Sequence, residues 1–138
     1  MTVEYVPVGR EHLEGLIRLC QVEGYPSYTQ DSERTWRALT APGVSTLVAV
    51  LDGRVVGFAQ MQSDGLIQAH LTMIVVDRDQ RRRGIGGRLV RQVFARCGGQ
   101  RVDLLSTEGA DAFYRSFAHQ RFPGYRIYPH PEPEQGDR

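Results

Sequence analysis

The segment MIVVDRDQRRRGIGGRLVRQVFARC, Met73–Cys97, restricts the fold more than any other. Its apolar start reads as the end of a buried strand. Its second half places Leu89, Val90, Val93, Phe94 and Cys97 on one helical face, and Gly98-Gly99 stops that helix. Between the two, Arg81, Arg82, Arg83, Gly84, Gly86 and Gly87 crowd a single chain reversal. A strand that turns at once into an amphipathic helix needs a neighbouring strand to return to. Val102–Leu105 is the candidate, and connection through a helix implies parallel pairing.

The N-terminal part supplies the rest of a sheet. Thr2–Val6 alternates like a short strand ended by Pro7. From Arg10, Leu13, Leu16, Ile17 and Cys20 fall at helical spacing. Gly24-Tyr25-Pro26-Ser27 breaks that helix, and Asp31 or Ser32 can cap a second, turning Trp36 and Leu39 inward. Ser45–Leu51 and Arg54–Gln62 flank Asp52-Gly53, a strong hairpin signal, and Asp64-Gly65 turns into Leu66–Val76. Beyond Val102–Leu105, Glu108–Phe117 reads as a further helical segment with Ala112, Phe113 and Phe117 available for packing. Tyr125–Tyr128 reads as a last strand. The order βααβββαβαβ gives one α/β (α+β) domain over residues 1–130, with a mixed, mostly antiparallel sheet flanked by helices. The proline-rich end, residues 131–138, is expected to be a disordered tail.

Composition removes several classes of chemistry. All 17 basic residues are arginine, so a Walker-type phosphate loop and Schiff-base or lysine-base catalysis are excluded. A net charge of +1 gives no overall field toward nucleic acid or membrane. Cys20 and Cys97 each lie on an apolar helical face and read as small core residues. No metal-ligand spacing occurs. The N-terminus lacks the form of a signal peptide and no apolar run approaches membrane-spanning length, so a cytoplasmic protein is expected.

The loop itself has a physical reading. A helix N-terminus leaves backbone N–H groups unpaired and carries partial positive charge. Glycines allow a ligand to reach the backbone, so the junction is suited to a pyrophosphate. Arg81, Arg82, Arg83 and Arg88 supply charge for further phosphate. A tight connection beside a solvated arginine run is the plainer alternative. A dinucleotide loop lacks GxGxxG here, and nucleic-acid binding through Arg81–Arg83 has little support on a near-neutral chain.

The spacing Arg81-Arg82-Arg83-Gly84-Ile85-Gly86 resembles the R/Q-x-x-G-x-G/A signature of the GNAT superfamily of acyl-CoA-dependent N-acyltransferases. The similar pattern runs from Ser45 to Tyr128 and includes Ala110-x-x-Phe113-Tyr114. The resemblance implies acetyl-CoA or a close relative as cosubstrate; the acceptor expected for this chain is a primary amine of a small molecule. It implies a fourth and fifth strand that splay apart, with the pantetheine arm in the gap against Ile74, Val75 and Val76. Backbone N–H groups from Arg82 through Ile85 to Gly87 would hold the pyrophosphate, and Thr107 stands where an asparagine often touches the pantetheine. Tyr114 matches the usual general acid. The family's frequent dimers make a homodimer compatible with the resemblance.

The general base is left open. Thr72 occupies the position of a strand glutamate in some members and cannot serve. His70, two residues earlier and on the same face by simple alternation, is one candidate; His119 and an ordered water chain are others. For the acceptor, Glu23, Tyr25 and Tyr28 lie in the connection that borders the acceptor site in this family. Gln60, Gln62, Gln68 and Tyr125 could complete that pocket. Aromatics beside a carboxylate suit a cationic amine. A CoA-binding sensor with little catalysis is the alternative function.

Overall fold

A computed structural model of the chain describes residues 2–130. The expected tail, 131–138, lies outside the described residues. Strands β1 (Glu4–Pro7), β2 (Val44–Leu51), β3 (Arg54–Ser63), β4 (Gln68–Val76) and β5 (Arg101–Asp103) form a five-stranded sheet in sequence order. β1 to β4 pair antiparallel, and β5 pairs parallel with β4. Helices α1 (Arg10–Glu23) and α2 (Ser32–Leu39) cover one face; α3 (Ile85–Cys97) covers the other. A short α4 (Asp111–Arg115) follows β5. Among the described residues no helix is long and apolar enough to cross a membrane.

Alternation along β2 explains the two layers. Leu47, Ala49 and Leu51 join Ile85, Leu89 and Val93 of α3, while Val48 and Val50 join Leu13, Leu16 and Cys20 of α1. The hairpin at Asp52-Gly53 has both residues at positive φ, 52° and 78°, as a tight two-residue turn between twisted strands requires. Asp31 caps α2, its carboxylate accepting from the Arg34 N–H at 3.1 Å. Both cysteines are free thiols; Cys20 is fully buried, and Cys97 Sγ donates to the Met61 carbonyl.

Four expectations shift. Trp36 is only half-buried, under the Arg10 guanidinium at 4.7 Å; Thr35 takes the inward position and donates to the Tyr28 carbonyl. β4 begins at Gln68 rather than Leu66, because the Asp64 carboxylate accepts from the Leu66 and Ile67 N–H groups, both at 2.7 Å, and so holds them out of the ladder. β5 is Arg101–Asp103 rather than Val102–Leu105. The expected last strand, Tyr125–Tyr128, does not form: the chain from 118 to 130 has neither helix nor strand, and Tyr125 and Ile127 are each 84% exposed. Residue preference alone does not make a strand; it needs a paired neighbour.

Candidate active site

Pairing between β4 and β5 covers Gln68↔Arg101, Ala69↔Val102 and His70↔Asp103, and then stops. From Leu71 onward the two chains diverge, as the resemblance implied. At the same place the β3–β4 register slips: Met61 faces Leu71 but Gln60 faces Met73, so Thr72 is an extra residue in β4. The slip exchanges the faces. Ala69 and Leu71 lie on the α3 side, and so do Ile74 and Val76, while Met73 and Val75 lie on the α1 side.

The divergence opens a cavity of about 750 Å³. Thr72 to Val76 border one side, Thr107 to Ala110 with Phe113 and Tyr114 the other, and Gly84 to Gly87 the end. Ile74 and Val76 are half-buried beside it; Val75 borders it with its side chain mostly in the α1-side core. Two buried polar atoms in its wall, Thr72 Oγ1 and Gln80 Oε1, have no hydrogen-bond partner. Such atoms are costly in a dry interior and are satisfied by a polar guest.

The end of the cavity is the start of α3. Gly84 caps it at φ 77°, in the left-handed region that favours glycine. The Arg88 N–H makes the first intrahelical bond, to the Gly84 carbonyl, leaving the N–H groups of Ile85, Gly86 and Gly87 in the unpaired first turn. Arg82 also has positive φ, 65°, so two of three consecutive residues in this turn are left-handed. Gly86 is required for a different reason than a direct approach of phosphate. A Cβ there would meet Phe113 Cε1 at 3.0 Å and Ile74 Cδ1 at 3.8 Å, so this glycine lets α3, α4 and β4 meet.

The arginines separate. Arg81 and Arg82 border the cavity; Arg83 and Arg88 do not. Arg88 lies over the Tyr5 ring at 5.9 Å, on the β1 side. Arg81 is engaged with Glu23, Nη2 to Oε1 at 2.6 Å, and Arg78 Nε reaches the other carboxylate oxygen at 3.2 Å. Glu23 borders the cavity, but as the buried partner of two guanidinium groups.

Tyr25 and Tyr28 reach the cavity wall while packed in the α1-side core, each 9% exposed. Tyr28 donates its hydroxyl to Gln60 Oε1, and Gln60 Nε2 donates to the Ala38 carbonyl at 3.2 Å. Gln60 is therefore a buried support for Tyr28 and not a pocket residue. Gln62, Gln68 and Tyr125 also lie outside the cavity lining. Arg126 is the residue that the last segment contributes, and with Gln80 it had no sequence signal as a site residue; Phe113, read from the sequence as a packing residue, also lines the cavity.

Tyr114 borders the cavity, with its ring edge-to-face on Phe113 at 5.0 Å between centroids. Burial pushes its phenol up to about 12, with a smaller push from Tyr25. His70 is exposed, opposite Gln62 and Asp103, and does not border the cavity; the slip at Thr72 interrupts the alternation that put the two on one face. His119 is exposed with Nδ1 2.8 Å from the Phe117 carbonyl, also away from it.

The site is thus a sheet opened between parallel strands, with a helix N-terminus at one end and the half-buried phenol of Tyr114 at the side. The profile of the Acetyltransferase (GNAT) family matches residues 10–118, and the chain belongs to that family. Solved structures with the same fold include a ribosomal-protein-alanine N-acetyltransferase from Brucella melitensis (20% identity, 93% of this chain and 99% of that one, TM-score 0.72). The aminoglycoside N-acetyltransferase AAC(6')-Iy in complex with CoA aligns at 17% identity over 94% and 95% of the chains, TM-score 0.71. A transcriptional regulator from Bacillus halodurans aligns at 17% over 92% and 99%, TM-score 0.74. No curated protein matches the sequence.

Proposed function

We propose that the protein is an N-acetyltransferase that passes an acetyl group from acetyl-CoA directly to a primary amine of a small molecule, with Tyr114 as general acid. One observation carries this reading: the unpaired first turn of α3, the open edge of β4 and the Tyr114 phenol all border one cavity. The residues fit the cosubstrate. The amides of Ile85, Gly86 and Gly87 would take its pyrophosphate, and Thr72 Oγ1 and Gln80 Oε1 offer buried polar atoms that a pantetheine or acceptor could satisfy. A CoA-bound relative of the same fold supports the choice.

Acetyl-CoA supplies an acyl thioester whose sulfur needs one proton as it departs. Tyr114 keeps its proton at neutral pH because burial disfavours the phenolate. Its proton goes to the sulfur, and the proton released by the acceptor nitrogen restores the phenol, so the exchange balances. The raised value makes Tyr114 a weak acid, which favours donation only as negative charge gathers on sulfur. Walls of Tyr25 and Tyr28 would hold the acceptor beside that point, and positioning supplies a large share of the rate.

The measurement is acetyl-CoA turnover over a panel of small amines, wild type against Tyr114→Phe. A fall in kcat of about a hundredfold or more at little-changed KM for acetyl-CoA is expected. Wild-type rates in the variant would remove Tyr114 as the acid. The second reading is a CoA-binding sensor. It is favoured by the absence of any histidine from the cavity lining among the described residues, and by Glu23 being held by two arginines. Tight CoA binding with no turnover of any amine or peptide would select it.

A further inference from the structure

Glu23 is the last residue of α1, and its side chain is only 3% exposed. A carboxylate is costly to bury, and here two cations from a distant part of the chain compensate it. Oε1 takes Arg81 Nη2 at 2.6 Å, and Oε2 takes Arg78 Nε at 3.2 Å. Arg81 Nε also donates to the carbonyl of Val76, the last residue of β4, at 3.3 Å. Arg78 and Arg81 bracket the short turn 78–80 that leads from β4 into the glycine loop. One buried carboxylate thus joins the end of α1, the open end of β4 and the loop.

This arrangement bears on both walls of the cavity. The guanidinium of Arg81, first residue of the loop motif, is occupied on two sides, by Glu23 and by Val76. The α1 end that it grips leads directly into Tyr25 and Tyr28. We infer that Glu23 is a positioning residue: it commits the Arg81 side chain to shaping the loop instead of neutralising phosphate, and it fixes the tyrosine wall to the cofactor end of the cavity. The inference rests on the proposed reading of the loop as a pyrophosphate site.

The test is calorimetric titration of the full chain with CoA at several salt concentrations. The proteins are wild type, Glu23→Gln, Arg81→Gln, the double variant and Arg82→Gln, with melting curves to check folding. A side chain that meets phosphate as a free charge loses attraction as salt screens it, whereas a shaping contact does not. Glu23→Gln and Arg81→Gln should each weaken CoA about tenfold, and the double variant no further, as for two groups acting through one contact. Their salt dependence should match wild type, and that of Arg82→Gln should be shallower. A shallower dependence in Arg81→Gln, or unchanged or tighter binding in Glu23→Gln, overturns the inference. If Glu23→Gln does not fold, the exposed Arg81→Gln decides by the same salt comparison. Wild-type protein that binds no CoA overturns the pyrophosphate reading itself, and the inference with it.

Discussion

The two halves of β4 contrast sharply. Ala69 and His70 are paired on both sides, to β3 and to β5, and behave as ordinary sheet. After the extra residue Thr72, Met73–Val76 keeps its β3 partners but has no pairing with β5. The paired half holds the molecule together; the open half holds room for a guest. What separates them is the extra residue at Thr72 and the brevity of β5, which ends at Asp103. One strand therefore belongs to the sheet at its start, Gln68-Ala69-His70, and borders the cavity at its apolar end, Met73-Ile74-Val75-Val76.

Substitutions should respect this division. The largest effect is expected at Leu71, 4% exposed and packed under α3 at the last position before the slip. Leu71→Ala should cost about 2–5 kcal/mol of folding stability. Denaturant melts would register it, and a loss of CoA affinity without loss of stability would break the division.

Gly86→Val should act on the open half. Its Cβ would stand 3.0 Å from Phe113, so the ring must move, at a cost of about 1–3 kcal/mol. Displacing Phe113, itself part of the cavity wall, should reduce CoA affinity about tenfold to a hundredfold. Unaltered titration curves for a folded Gly86→Val protein would contradict the role given to this contact.

The smallest effect is a pH dependence. Tyr114 titrates near 12 when folded, above its ordinary value of about 10. Its contribution to stability is complete below pH about 10 and is lost as pH rises toward 12, since the unfolded chain releases that proton first. Alkaline unfolding should therefore be less steep in Tyr114→Phe than in wild type. Identical slopes would mean that the phenol is not buried as described.

Local patterns were read with success where neighbouring residues alone control the outcome. Asp52-Gly53 turned as its dipeptide demands, and α3 began at the glycines and ended at Gly98. The glycines of the loop motif and Tyr114, about thirty residues apart, border one cavity. Tyr125–Tyr128 misled because its alternation says nothing about whether an edge is available to pair with. Trp36 does pack against the α1-side core, but only half-buried with Arg10 over its ring, while the smaller Thr35 is buried beside it. The acceptor residues were hardest. Gln60 looked like a pocket residue and proved to be the support for Tyr28, which requires knowing that α2 ends beside β3.

From the sequence alone came the strand–loop–helix junction, the antiparallel meander before it and the family resemblance, because turn chemistry, residue period and motif spacing act over a few neighbouring positions. Tertiary structure alone decided that β4 slips at Thr72, that Glu23 pairs with Arg78 and Arg81, and that His70 lies outside the cavity lining. Each of these depends on a partner tens of residues away or on the opposite strand, and no local pattern records which partner will be there.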